Sequence, residues 1–216
     1  MAQPLSERLR EGTKAAHHKA EHSTFIRQFF TGKLPLESYR LYLFQLLHIY
    51  SALEEHLTLH RENEAIQPVY FPELHRSTTL TADLNFYSGV DDSNDLALSY
   101  ATGDYILHLK ELADEWPAGL VAHAYTRYLG DLSGGQVLKR IVMGMYHLNG
   151  AGGLAFYEFP QITDQTGFKR MYRSRLDTII LDKPGMDKMV SEAVEAFRLN
   201  QAVFDSMLVA SETTRK

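Results

Sequence analysis

His17 and Glu21 have the spacing of a metal-binding histidine and its hydrogen-bond partner. The two residues are four apart, so on a helix the carboxylate can reach the imidazole ring. Such a partner fixes the orientation of a metal-binding imidazole. His17 borders the apolar stripe of the predicted helix and is expected to face inward, whereas His18 is expected to face water. Small Ala16 and Ala20 leave room for a large planar group. A boundary histidine in a helix salt pair, the more common case, has the same spacing.

Three glycines interrupt a second helical segment. A glycine inside a helix costs about 1 kcal/mol relative to alanine, so Gly130, Gly134 and Gly135 together cost roughly 3 kcal/mol. A close approach of the backbone to a ligand or to another helix, or a kink, usually offsets such a cost. Gly130 and Gly134 are four residues apart and share one helix face. A flat, wide ligand could lie against this bare face.

Asp131 lies among these glycines, at a position expected to be largely buried. A buried carboxylate requires a hydrogen bond or a counter-charge, and Arg127, four residues earlier, can pair with it. A structural ion pair on a helix is the simpler explanation. The flanking glycines favour a second one, in which the carboxylate orders water over a ligand on the bare face.

Two basic pairs could bind the carboxylates of a ligand. Arg10 and Lys14 are four residues apart, as are Lys169 and Arg173, so each pair presents two cations side by side. A solvated helix face explains most such pairs equally well. Several aromatic residues have, by themselves, the pattern of ordinary core residues: Tyr50, Tyr125, Phe29, Phe197 and Phe204.

The elements that must position these residues are helices. Apolar periodicity predicts helices over residues 5–21, 25–30, 37–60, 73–87, 97–115, 120–145, 164–178 and 185–208. Breaks are predicted over residues 66–72, 88–93 and 149–153, and an aromatic connector over 154–160. No hairpin signal or repeat is present. We therefore predict an all-α, single-domain helical bundle over residues 1–216, ordered over about 5–208, with a polar, frayed tail after it.

Composition excludes several classes of function. The net charge of -5 and the pI of about 6.0 argue against nucleic-acid binding. The chain has no cysteine, which excludes disulfides, thiolate metal sites and cysteine nucleophiles. No apolar run reaches the roughly 18 residues that span a bilayer, and the N-terminus lacks the apolar centre of a signal peptide. A soluble, cytoplasmic protein without a membrane anchor is expected.

Several motifs in the same order resemble the heme oxygenase family, over roughly residues 5–208. The longest runs from Tyr125 to Lys139 and is preceded by Val121-Ala122-His123-Ala124. The others lie at 9–14 with His17, Ala20 and Glu21, at 48–50 with 52–55, at 69–74, at 154–157 with 159, and at 168–169 with 172–173. Because the chain ends without the apolar C-terminal anchor of animal members, it resembles a soluble bacterial type or a member from which the anchor was removed.

The resemblance implies that heme is sandwiched between the N-terminal helix and a glycine-kinked distal helix. His17 corresponds to the proximal iron ligand, with Glu21 bonded to its other nitrogen. Gly130 and Gly134 correspond to the distal backbone, and Asp131 to the carboxylate that organises water, with Arg127 and Tyr50 in its network. Other heme-binding positions complete the implied set: Arg10, Lys14, Lys169, Arg173 and Tyr125 near the propionates, Phe29, Phe197 and Phe204 as pocket aromatics, and Thr13 and Ala20 beside His17.

The implied reaction is the oxidative opening of heme at a meso carbon, with the alpha position expected. The products are biliverdin, carbon monoxide and ferrous iron. Heme is both substrate and cofactor, dioxygen is consumed, and electrons come from an NAD(P)H-dependent reductase or a ferredoxin. We expect a monomer. The alternative is a helical heme-binding or heme-delivery protein that never degrades its ligand. A thiaminase-like enzyme would need a cysteine, and a ferritin-like di-iron protein would need Glu-x-x-His pairs, which the sequence lacks.

Overall fold

The computed structural model describes residues 3–88, 96–150 and 152–213, with side chains as far as residue 207. Within these residues the chain forms α-helices, short 3-10 turns and no strand, so the all-α prediction is confirmed. The nine helices are α1 Leu5–Glu21, α2 Thr24–Phe30, α3 Leu36–Leu59, α4 Ser77–Tyr87, α5 Tyr100–Glu115, α6 Leu120–Asp131, α7 Gly135–Met145, α8 Gln165–Leu176 and α9 Lys183–Thr213. None of these described helices is long and apolar enough to cross a membrane.

Short polar side chains fix where several helices begin. The Ser23 hydroxyl accepts from the backbone N–H of Ile26 at the start of α2, at 3.3 Å. The Asp164 carboxylate accepts from the N–H of Gly167 at the start of α8, at 2.8 Å. These contacts satisfy N–H groups that have no partner within the first helical turn.

The predicted helix over 73–87 begins later in the structure, at Ser77. Residues 72–74 form a 3-10 turn instead, and the buried Glu54 carboxylate of α3 reaches the following backbone. Glu54 accepts from the N–H of Arg76 and from the Ser77 hydroxyl, the latter at 2.5 Å. A carboxylate distant in sequence therefore sets the first residue of α4.

One other predicted boundary differs from the structure, and one lies largely outside the described residues. The last helix continues to Thr213 rather than ending at Leu208, and residues 214–216 of the predicted frayed tail lie outside the described residues. The predicted break over 88–93 is described only at Ser88, which follows α4; residues 89–93 lie outside.

Helix α9 is the support for the helices that carry the candidate residues. It packs along α1 and α6 and also contacts α2 and α5. The approach to α1 is close at Gly12, because a Cβ atom there would collide with the Val190 side chain. Gly12 therefore sets the distance between α1, which carries His17, and its support.

We expect Gly12→Ala to destabilise the protein by about 1 to 3 kcal/mol, because the methyl group overpacks the contact with the branched Val190 side chain. The free energy of unfolding in urea measures this. Gly103→Ala is the matched control, since Gly103 is exposed within α5 and a Cβ there meets no atom within 4 Å.

The control should raise stability by about 0.5 to 1 kcal/mol through helix propensity. Replacing Val190 by alanine in the Gly12→Ala background should restore part of the loss. Equal effects of the two glycine substitutions would contradict the close approach.

Candidate functional site

A cavity of about 520 Å³ opens between the N-terminal helix and the glycine-rich segment. Its volume is in the range of sites that bind small molecules or cofactors, roughly 300 to 1,000 Å³. Five helices, α1, α2, α6, α8 and α9, supply most of its wall, and the turn into α7 and Leu138 of α7 supply the rest. The lining residues are Arg10, Thr13, Lys14, His17, Ala20, Glu21, Ile26, Phe30, Tyr125, Thr126, Leu129, Gly130, Ser133, Gly134, Leu138, Arg173, Phe197 and Phe204.

The glycine-rich segment is not one long helix, as its periodicity predicted, but two helices joined by a turn. α6 ends at Asp131 and α7 begins at Gly135. Between them the Gly130 carbonyl oxygen accepts two hydrogen bonds. Ser133 N–H, three residues later, donates to it at 3.1 Å, and Gly134 N–H, four residues later, donates to it at 2.8 Å. The kink that could offset the cost of the glycines is therefore present.

Protein packing does not require Gly130 and Gly134 to be glycine. A Cβ atom at Gly130 would meet nothing within 4 Å, and one at Gly134 would meet only the Gly130 carbonyl oxygen, at 3.7 Å. Both residues line the cavity. Side chains at these positions would therefore stand in the cavity itself, and the bare backbone keeps this wall flat.

His17 lies in the cavity wall, on the side of α1 that faces the cavity. Its side chain is 55% exposed, because it faces the open cavity rather than the packed core. The Glu21 carboxylate is 3.4 Å from His17 Nδ1, and the Phe197 ring meets the imidazole edge-on at 5.6 Å. His18 does not line the cavity; its ring stacks on His22 at 4.1 Å. The geometry thus leaves His17 Nε2, rather than either His18 nitrogen, as the ring atom that a ligand in the cavity can use.

Cations lie on the α1 and α8 sides of the cavity. Arg10, Lys14 and Arg173 line it together with Tyr125, so the structure brings one predicted basic pair together with half of the other. Burial raises the pKa of Tyr125, and the charges of Arg173 and Arg10 act in the opposite direction. This part of the wall is suited to an anionic group of a ligand.

Lys169, the fourth predicted cation, does not line the cavity. Its ammonium group donates to Ser133 Oγ at 3.1 Å and to Leu132 O at 3.3 Å. It therefore braces the turn between α6 and α7, where carbonyl oxygens lack helical partners. Because Ser133 itself lines the cavity, Lys169 contacts a residue of the wall without lining the cavity.

Asp131 also lies behind the wall, where it contacts Tyr50 of α3. The Tyr50 hydroxyl donates to the Asp131 carboxylate, and Tyr50 is fully enclosed by protein. Burial raises the pKa of Asp131 to about 6, although Arg127 and the hydrogen bond from Tyr50 act to lower it. This carboxyl group therefore exchanges its proton near neutral pH, which an ordinary aspartate does not.

The predicted direct pair between Arg127 and Asp131 is absent. Arg127 Nη1 instead donates to Asn200 Oδ1 of α9, and its guanidinium lies over the Tyr50 ring, 4.6 Å from the ring centre. The side chain thus follows a distant partner rather than its helical neighbour. Its Nε and Nη2 are buried and find no hydrogen-bond partner among the described residues. Because buried N–H groups are nearly always bonded, these two donors favour ordered water beside Asp131.

Phe29 does not line the cavity, in contrast to its predicted role as a pocket aromatic. It is fully buried in the core, where its ring packs against Phe25, Tyr39 and Tyr42. The next residue, Phe30, lines the cavity instead and is 51% exposed. Adjacent residues on a helix point about 100° apart, so α2 can place only one of the two rings in the core at this point.

Several residues at the site were missed by the sequence-based prediction. Four apolar or small residues line the cavity, although the sequence pattern gives no sign that distinguishes them from core residues: Ile26, Thr126, Leu129 and Leu138. Asn200 gave a usable signal, since its neighbours at helical spacing, Ala196, Val203 and Phe204, are apolar, and it is buried in the structure. A buried asparagine of this kind is expected to bind a polar partner.

Comparison with known proteins agrees with this geometry. A family model for heme oxygenase matches residues 3–206. A heme oxygenase from Porphyra purpurea is 44% identical over 207 residues, which is 96% of this chain and 88% of the relative.

Solved structures of relatives have the same fold. The heme oxygenase-1 of the cyanobacterium Synechocystis in complex with heme has a TM-score of 0.91 at 38% identity and covers 98% of this chain and 97% of its own. The heme oxygenase of Leptospira interrogans has a TM-score of 0.89 at 40% identity, with 94% and 98% covered. The matched sequence and the shared helical architecture show that the chain belongs to the heme oxygenase family.

Proposed function

We propose that this protein binds heme in the cavity and opens it at the alpha meso carbon to biliverdin, carbon monoxide and ferrous iron. The observation that carries this proposal is the bare Gly130–Gly134 wall with the Asp131, Tyr50 and Arg127 cluster behind it, around the same cavity as His17. A protein that only held heme would need a cavity and an iron ligand. It would not need a carboxyl group with a raised pKa beside buried, unpartnered N–H donors.

The cavity residues fit heme in shape and charge. Bare backbone at Gly130 and Gly134 admits a flat ring, and His17 offers an imidazole nitrogen as a ligand for iron. Glu21 would accept a hydrogen bond from His17 Nδ1–H and so orient Nε2 toward the iron. Arg10, Lys14 and Arg173 would bind the two propionates and thereby fix the rotation of the ring in the cavity, and with it which meso carbon is oxidised.

When bound, heme supplies the iron that takes up dioxygen and the meso carbon that is oxidised. Asp131 would act on this chemistry through water, because it lies behind the glycine wall and does not line the cavity. Arg127 Nε and Nη2 would hold that water in place, and Tyr50 would hold the carboxyl group. The protein's own contribution is thus to position the ring and to keep a proton available beside it.

The cavity is lined by one chain, so a monomer is sufficient for the proposed reaction. We infer that dioxygen and an electron donor, either an NAD(P)H-dependent reductase or a ferredoxin, are its partners in the cytoplasm.

Aerobic turnover of the heme complex tests the proposed function. With an electron donor present, the wild-type protein should lose its heme absorbance and form biliverdin. Asp131→Asn should lower the rate of ring opening by about 100-fold or more, because an amide cannot accept a proton from the ordered water and return it as the carboxylate can. Asp205→Asn, an exposed aspartate of α9, is the matched control and should react at the wild-type rate. Heme that persists in the wild type without biliverdin would show a non-degrading heme binder.

The same reaction should depend on pH through Asp131. Because its pKa is raised to about 6, the carboxyl group is ionised above this pH and protonated below it. The ionised form accepts hydrogen bonds from Tyr50 and water, so wild-type turnover should fall as pH decreases through about 6. The residual turnover of Asp131→Asn should show no such inflection, and an identical inflection in that variant would assign the ionisation to another group.

His17→Ala should abolish proximal ligation of the iron, because among the described residues it removes the only histidine that lines the cavity. The absorption spectrum of the heme complex should change, turnover should be lost, and added imidazole should restore part of both. His18→Ala is the control in the adjacent position and should leave spectrum and turnover unchanged. A wild-type spectrum in the His17 variant would refute the assignment.

Gly130→Leu should weaken heme binding by at least about tenfold, a loss of roughly 1.4 kcal/mol, because the side chain would stand in the cavity. Thermal stability should not fall, since leucine favours a helix and the Cβ position is open. Gly144→Leu, at an exposed and open position of α7, serves as the control. Unchanged heme affinity in the first variant would contradict the assignment of this wall.

A further inference from the structure

Two imidazoles and one carboxylate from three helices lie close together, and none of the three residues lines the cavity. His108 comes from α5, His123 from α6 and Glu192 from α9. Glu192 Oε1 is 2.6 Å from His108 Nε2 and 2.9 Å from His123 Nε2. All three possible ligand atoms lie within 4.8 Å of one another.

The burial of the three groups is graded from the interior to the surface. The His123 side chain is 0% exposed, Glu192 is 13% exposed and His108 is 29% exposed. A buried carboxylate between two imidazoles needs proton donors or a cation to balance its charge. Glu195, three residues further along α9, adds negative charge nearby and is itself bound by Arg198 at 2.7 Å.

We propose that His108, His123 and Glu192 form a binding site for a divalent transition-metal ion such as Zn²⁺. Two imidazoles and one carboxylate are a three-residue ligand set that proteins use for this class of ion, with the remaining position taken by water. Mg²⁺ and Ca²⁺ are not expected, because they prefer oxygen ligands.

The arrangement needs little movement to accept the ion. Each ligand atom lies about 2 Å from a bound zinc, so two ligand atoms on one ion are roughly 3 to 4 Å apart. The carboxylate oxygen now bonds to both nitrogens at shorter distances, and a small rotation of the Glu192 side chain would open the centre. The partial exposure of His108 provides access for the ion and for water.

A neighbouring group also has the role expected around a metal site. The Tyr105 hydroxyl is 3.0 Å from His123 Nδ1, the ring nitrogen that would remain free when Nε2 binds the ion. A hydrogen bond at this nitrogen fixes the ring orientation and tautomer of a metal-binding histidine. His108, His123 and Glu192 do not line the heme cavity, so the proposal does not depend on heme binding.

Zinc binding to the heme-free protein, measured by equilibrium dialysis, tests the proposal. One Zn²⁺ per chain should bind to the wild type. His108→Gln should weaken this binding at least tenfold, although glutamine can still donate a hydrogen bond to Glu192 and so keep the helices joined. Glu192→Gln should weaken it similarly. Circular dichroism of the metal-free variants should show the wild-type helix content.

The exposed, stacked pair His18 and His22 is the matched control, because two histidines four apart on a helix can also chelate an ion. A variant with both His18→Gln and His22→Gln should bind zinc like the wild type. Binding that is lost in this control, or that is unchanged in His108→Gln, would overturn the proposal. A wild type that binds no zinc would overturn it as well.

Discussion

The break in the hydrogen-bond ladder between α6 and α7 is the constraint on which the site depends. Ser133 and Gly134 both bond back to the Gly130 carbonyl, so the chain turns within a few residues of Asp131. The turn has two consequences. It leaves bare backbone at Gly130 and Gly134 facing the cavity, and it places Asp131 on the other side of that wall, against Tyr50. A continuous helix with alanines would be more stable locally but would fill the space.

Helix α9 positions the other parts of the site relative to this turn. Its packing against Gly12 holds α1, and therefore His17, at a fixed distance from the bundle. Its Asn200 holds Arg127 over the Tyr50 ring. Phe197 lies against the His17 imidazole. One long helix thus relates both walls of the cavity, and burial of its apolar residues supplies the rigidity that a positioned site requires.

Much of the fold could be predicted from the sequence because helix periodicity is a local property. The helix of His17 begins and ends where the pattern placed it, and the spacing of His17 and Glu21 gave their proximity. The predictions were wrong where a residue distant in sequence determines the contact that a side chain makes. Arg127 binds Asn200 rather than Asp131, a choice that depends on packing against α9 and not on helical spacing.

The position of one aromatic side chain shows a second limit. Phe29 and Phe30 are identical in type and adjacent in sequence, so only the docking of α2 on Tyr39 and Tyr42 decides which ring is buried. Family resemblance could name the ligand, but the docking of α2 is known only from the structure.

We propose that heme lies between His17 and the glycine wall, and a crystal structure of the heme complex tests this position most directly. We expect iron to be bound by His17 Nε2 on one face of the ring, with the Gly130 and Gly134 backbone in van der Waals contact with the opposite face. Iron bound by a different residue, or a ring that does not contact these glycines, would contradict it.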